Sequence, residues 1–343
     1  MSSSQTWRRR GWTLQEEALA RRILFFAVEG LRSQLIWSCK QCLWTEDGNY
    51  QDARHLASDV YNIHRWTTTF THYWSLDVWG LSENRPPPAE YPYQPWYDAV
   101  EEYSGRELTN WSDRLIAIEG LKDVFSASSE PTLAEDFYFC GLWEGDISAG
   151  ICWRTTGSYR RDPTAAEKRA QFPRGLPSWS WASSLMSVEW EHHGVSGWRY
   201  AGSKPRRQPD FKIETDREAM MKGRLKVTGQ LTTAPLKPRD DSPVHKSIFY
   251  PPHNYDKNLR ADDDDRPTPA EYFLLFVDNI ETTFPRHTRP GFRFIALEKR
   301  HNGDFARLGF LTVFRGPKGT FDPEWSEKCG DHFALRQETF YLV

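Results

Sequence analysis

The chain has 343 residues, with 44 Lys and Arg against 47 Asp and Glu. The formal net charge of −3 offers no global field for nucleic acid. Aromatics reach 15% with 16 Trp although only 38% of residues are hydrophobic. That excludes wholesale disorder and suggests about two globular domains carrying polar loops.

The N-terminus holds Arg8-Arg9-Arg10 with no apolar h-region behind it, so no signal peptide is expected. The longest apolar run, Ile23 to Val28, falls far short of the roughly 20 residues that cross a bilayer, so no membrane partner is expected. Five cysteines at irregular spacing make no disulfide framework, which suggests a reduced, cytoplasmic protein.

In chain order, Arg10-Gly11-Trp12-Thr13-Leu14-Gln15-Glu16 reads as a helix entry. Thr13 is placed as N-cap and Glu16 as the residue reaching back to it, a capping box. Arg21 and Arg22 would close that helix with cations at its C-terminus. Ile23–Val28 and Gln34–Cys39 then form a predicted hairpin around Glu29-Gly30, and the first run, apolar on both sides, is expected to be buried on both faces. The spacing of Leu56, Val60, Ile63, Trp66, Phe70 and Tyr73 predicts a helix over 52–74, followed by a Pro-rich linker over 84–95. Helices resume at Trp96–Tyr103 and from Ser112 or Asp113 through Phe125.

Further on, β-type runs recur at 225–232, 272–277, 292–297, 308–314 and 339–343, separated by turn residues. The proline-rich and acidic stretch 235–270 is expected to be a long mobile loop. The predicted fold class is α+β: a helical, hairpin-containing N-terminal half followed by a mostly antiparallel β C-terminal half. The divisions are 1–44 (helix and hairpin), 45–160 (mainly helical) and 161–343 (β-rich), with the main boundary expected between Arg154 and Pro177.

Candidate chemistry is sparse. Cys39-Lys40-Gln41-Cys42 is a C-x-x-C that could be redox-active or half a metal site, but no second ligand pair follows at usable spacing. A structural pair is the better reading, and no metal is assigned. His55, His64, His72, His192, His193, His245 and His253 accompany no nucleophile signature. The run Asp262–Asp265 lacks the glycine of a calcium loop. Arg8, Arg9, Arg10, Arg21 and Arg22 could grip phosphate, yet no phosphate loop is present, and neither cofactor nor nucleic-acid partner is expected. Trp179 and Trp181, two apart, would share one face of a strand, either as core or as a sugar-stacking platform; core packing is favoured.

The run Arg10–Glu16, with Arg22-Ile23-Leu24-Phe25-Phe26 and Leu35-Ile36-Trp37-Ser38-Cys39, resembles the closing motif of the fungal heterokaryon-incompatibility (HET) domain. That motif runs roughly R-G/A-W-T-L/F-Q-E, then R-x-L-x-F, then W-E-C; Ser38 stands where the glutamate is usual. Tyr103-Ser104-x-Arg106-x-Leu108, Asp113–Leu121, Gly141–Glu144, Gly150–Trp153 and Pro177–Ser183 resemble segments that follow it. The resemblance implies a role in fungal non-self recognition, where the HET domain triggers cell death. It marks Arg10, Gly11, Trp12, Thr13, Gln15, Glu16, Trp37 and Cys39 as family-motif residues, structural rather than catalytic, with Trp179 and Trp181 in a secondary motif. The family's L-S-Y-x-W-G and W-I/V-D-x-x-C-I motifs are absent from this sequence. The expectation is therefore a truncated, post-motif region acting as a scaffold or interaction surface, binding protein partners or itself, rather than an enzyme. The alternatives are a TIR-like NAD-cleaving effector using Glu16 and a carbohydrate-binding β domain.

Overall fold

The computed structural model describes residues 9–29, 32–39, 42–48, 50–52, 93–128, 135–155, 165–172, 175–190, 211–234, 247–250, 272–284, 287–314 and 335–343. The chain divides into two compact units, Met1–Asp136 and Phe137–Val343. The division lies upstream of the expected 154–177 stretch. The reason is local: Arg154–Thr155 pairs with Val188–Glu189, so residues on both sides of that stretch fold together.

In the first unit, helix α1 (Trp12–Leu19) leads into a meander of β1 (Arg22–Glu29), β2 (Arg32–Cys39), β3 (Cys42–Thr45) and β4 (Tyr50–Asp52), neighbours in that order. The expected hairpin is present and two further strands extend it into an antiparallel sheet. Helix α2 (Gln94–Ser104), a 3₁₀ turn (Trp111–Asp113) and helix α3 (Ile116–Ser128) follow. Pro95 sits in the first turn of α2, where its missing N–H costs nothing, so the end of the predicted linker belongs to the helix. The predicted stripes are the buried ones: Trp96, Val100 and Tyr103 on α2, and Ile118, Leu121 and Phe125 on α3. Both α1 and α2 pack on α3. The predicted helix at 52–74 lies almost wholly outside the described residues.

Two expectations about the opening motif are corrected. The N-cap of α1 is Gly11, in helical conformation, and no side chain caps the helix. The capping box does not form because Thr13 lies inside the first turn, buried, with its hydroxyl donated to Arg10 O at 2.6 Å. Nor do Arg21 and Arg22 close the helix: it ends at Leu19, and Arg22 already starts β1.

The second unit begins with a hairpin of β5 (Tyr138–Phe139) and β6 (Leu142–Trp143), then the short helix α4 (Ile147–Gly150), β7 (Arg154–Thr155), helix α5 (Ala165–Ala170) and β8 (Val188–Glu189). Then come β9 (Lys212–Glu214), helix α6 (Arg217–Met221) and β10 (Leu225–Ala234). The chain ends with β11 (Ser247–Tyr250), β12 (Tyr272–Phe284), β13 (His287–Lys299), β14 (Phe305–Phe314) and β15 (Arg336–Leu342). Strand β11 pairs with β14, so the stretch 235–270 is not loop throughout; its other residues are outside the description.

These strands form one sheet in the order β11-β14-β13-β12-β10-β15, antiparallel as predicted. A single parallel pairing of Phe305 with Leu342 joins β14 to β15, so β10, β12, β13, β14 and β15 form a closed ring of pairings. The contact covers the β15 edge only at Leu342. Leu274, Phe276, Phe292, Phe294, Ala296, Leu308 and Leu311 form its core. Beside them Asp278 and Arg293 face each other across β12 and β13, fully buried as a two-toothed ion pair. A buried charge of this kind is tolerated only when its partner satisfies it, so the two positions are locked together.

Candidate functional site

The motifs that stand apart in sequence meet in space, and they do so within each unit. In the first, Arg10 forms a backbone bridge with Glu107, and Gly11 N donates to Glu107 O at 2.7 Å. A Cβ at Gly11 would lie 2.5 Å from Leu108 Cδ2 and 3.2 Å from the Tyr103 ring, so any larger residue here would require the Leu108 side chain to shift. Trp12 Nε1 donates to Asp113 Oδ2 at 3.3 Å, and the Gln15 amide lies against Gly120, where any side chain would overlap it.

Arg106 is the centre of this contact. Its buried guanidinium donates to Thr13 Oγ1 at 3.1 Å and to Glu102 Oε1 at 3.0 and 3.2 Å, with Glu17 Oε2 at 3.7 Å. The sequence alone assigns Arg106 no role. The available signal was the i, i+4 spacing from Glu102, which would place a carboxylate beside it had the helix run on; α2 ends at Ser104, and the pair forms just past its end. Glu17, the residue just after the motif, carries the buried carboxylate, while Glu16 is exposed. Next to this network Arg114 is buried, its guanidinium 5.2 Å from the Trp111 ring centroid. Burial pushes its pKa down to about 10, and Tyr103, whose hydroxyl donates to Arg114 O at 2.7 Å, acts in the opposite direction. Burial likewise raises the Tyr103 hydroxyl.

The second unit repeats the logic with tryptophan. Pro177–Ser183 is not a strand: Trp179 lies in a turn and Trp181 opens a 3₁₀ turn, Trp181–Ser183, capped by Ser180 Oγ accepting from Ala182 N at 3.1 Å. The serine cap competes with strand geometry here, which the alternating pattern concealed. Both indoles are fully buried. Trp179 Nε1 donates to Gly223 O at 3.1 Å, Trp181 Nε1 to Gly141 O at 2.9 Å, and Trp153 Nε1 to Trp179 O at 2.9 Å. Ser180 Oγ donates to Cys140 O at 2.6 Å. Arg307 covers the Trp153 ring at 3.5 Å and donates to its carbonyl. Ser178 ties the chain end in place, its N donating to Val343 O at 3.2 Å while its Oγ accepts from Arg307 N at 2.8 Å.

The first unit carries the molecule's most conspicuous uncovered feature among the described residues. The register Leu24↔Trp37↔Trp44, with Phe26↔Leu35, sets these side chains on one face of the β1–β4 sheet. Leu24, Phe26 and Trp44 are 48%, 71% and 55% exposed, with Trp37 and Leu35 half-buried between them. The opposite face carries Ile36 and Ser38, both buried. Burial of both faces of β1 is therefore not observed: a meander is covered on one side, and here the uncovered side is also apolar. Cys39 and Cys42 share this outward face, half-buried, with their sulfurs 3.7 Å apart.

Arg9 pairs with Glu107 on the surface, and Arg21 and Arg22 are exposed. Arg8, His55, His64, His72, His192, His193, His245, His253 and Asp262–Asp265 lie outside the described residues. No group of three or more His, Cys, Asp or Glu among the described residues is placed to hold a metal ion. No helix among them is long and apolar enough to cross a membrane. No protein-family profile, curated protein or solved structure matches this chain.

Proposed function

We propose that this chain is a HET-type protein of fungal non-self recognition, working in the cytoplasm as an interaction region, and that it associates with a second copy of itself through the outward face of the β1–β4 sheet. The observation that carries the reading is the exposed row Leu24, Phe26 and Trp44. Contiguous apolar faces of this kind on a folded unit mark interaction sites. Two further features favour a second copy as the occupant. Strand β1 stands at the edge of the sheet, and a net charge of −3 over 343 residues opposes self-association only weakly. The motif residues support a non-enzymatic reading, because Thr13 is engaged by Arg106 and Glu16 is exposed. A sugar-stacking platform finds no support in Trp179 and Trp181, whose rings are buried and whose N–H groups are bonded to backbone.

Sedimentation velocity over a concentration series tests the reading. The wild-type chain shifts from monomer to dimer as concentration rises. Phe26→Asp removes an aromatic anchor worth about 2 kcal/mol from each copy, about 4 kcal/mol in the dimer, and raises the dissociation constant roughly 1,000-fold. A wild type that stays monomeric at all concentrations, or a Phe26→Asp chain that associates equally well, overturns it.

A further inference from the structure

Cys39 ends β2 and Cys42 begins β3, and the two-residue connection Lys40-Gln41 joins them. The last registered pair of that ladder is Ser38↔Leu43, so Cys39 and Cys42 occupy the next opposite positions. Opposite residues of an antiparallel ladder have Cα atoms about 4.5–5.5 Å apart. That interval lies inside the roughly 4.4–6.8 Å spanned by disulfide-linked residues. The side chains are aimed accordingly: the sulfurs are 3.7 Å apart on one face, against about 2.05 Å in a formed bond. Rotation about the Cα–Cβ bonds is the motion that would bring the two sulfurs together.

We propose that Cys39 and Cys42 are a reversible dithiol–disulfide pair, oxidised by a low-molecular-weight disulfide of the glutathione type. One cysteine loses its proton to solvent and its thiolate attacks a sulfur of the oxidant, breaking that S–S bond and expelling one glutathione thiolate. The neighbouring cysteine, deprotonated in turn, attacks the protein-side sulfur of the mixed disulfide. The Cys39–Cys42 bond forms and the second glutathione leaves. The protein loses two electrons and two protons, and one oxidised glutathione becomes two reduced ones.

The other described cysteines are internal controls. Cys140 is a turn residue whose thiol burial pushes up to about 12, which keeps it protonated, and Cys152 is buried with its Sγ donating to Ser148 O at 3.1 Å. Among the described residues, neither has a cysteine neighbour comparable to the 3.7 Å approach of Cys39 and Cys42.

The test uses the intact wild-type chain, dilute enough that copies are separate, so that its outcome does not depend on self-association. The chain is equilibrated in glutathione buffers from fully reduced to fully oxidised, quenched in acid, alkylated unfolded and cleaved with trypsin. Lys40 lies between the two cysteines, so cleavage there leaves peptides 33–40 and 41–54 joined only if the disulfide formed. The expected result is the joined pair in oxidising buffer and separate alkylated peptides in reducing buffer, with Cys140 and Cys152 recovered as thiols throughout. Cys42→Ser traps Cys39 as its mixed disulfide with glutathione. Peptides 33–40 and 41–54 recovered unjoined in every buffer overturn the proposal. So does a stoichiometric zinc ion that wild type retains and Cys42→Ser loses, because it would assign the thiolates to a metal.

Discussion

Thr13 and Glu16 lie three residues apart on one short helix and carry very different energetic weight. Thr13 Oγ1 accepts from a buried guanidinium, and Thr13→Val would leave that donor of Arg106 without its acceptor. A cost of about 1–3 kcal/mol is expected in urea unfolding. Glu16→Ala removes an exposed side chain and should stay within about 0.5 kcal/mol of wild type. The reverse order would restore the capping role to Glu16. Gly141 and Gly303 make a second contrast. Both have positive φ, at 90° and 86°, but a Cβ at Gly141 would overlap the Trp181 indole while one at Gly303 meets nothing within 4 Å. Gly303→Ala is expected to cost about 1–2 kcal/mol from the left-handed backbone alone. Gly141→Ala adds overpacking and should cost about 2–5 kcal/mol in the same measurement.

At the scale of elements, the β5–β6 hairpin shows how a turn and a core share residues. Cys140 and Gly141 are its two turn residues, both with positive φ, the arrangement that suits the twist of a two-residue hairpin. Burial holds the Cys140 thiol up to about 12 from an ordinary 9.0. Between those values the folded chain keeps a proton that the unfolded chain has released, so unfolding free energy falls as pH rises. The contribution is complete below about pH 9 and gone above about pH 12. Cys140→Ser should flatten that part of the alkaline stability profile; an unchanged slope would place its origin elsewhere. The Trp turn packs on this hairpin, with Ser180 Oγ donating to Cys140 O and the Trp179 and Phe139 ring centroids 6.1 Å apart. Trp179→Ala opens a cavity in a fully buried site and is expected to cost about 3–5 kcal/mol, read as a lowered denaturation midpoint.

At the scale of the whole molecule, the α+β class and the later strands were legible because their apolar periods are long and regular. Trp96, Val100 and Tyr103 on α2 and the unbroken apolar run over 272–277 are local signals, and local signals survive without tertiary knowledge. What was not legible depends on distant partners. Nothing near Thr13 in sequence announces Arg106, ninety-three positions away, so a capping pattern was the only local explanation of the motif. Pro177–Ser183 alternates like a strand, yet Ser180 caps a 3₁₀ turn and the carbonyls of Gly223 and Gly141 take both indole protons. The outward face of the first sheet was misjudged for a related reason: an apolar run states that it avoids water, not which molecule covers it. In both units, motifs far apart in the chain prove to be two halves of one packing contact.

That leaves the uncovered face as the feature on which the functional account stands. Phe26, the most exposed of its apolar residues, is the position at which to probe it. The most direct measurement replaces Phe26 with photoreactive benzoylphenylalanine in the full chain, irradiates it at associating concentration and maps the covalent products by mass spectrometry. The account predicts interchain products joined to residues 22–45 of a second copy, competed away by excess unlabelled wild type. Irradiation that yields only intrachain products, or interchain links scattered over unrelated surface, would contradict it.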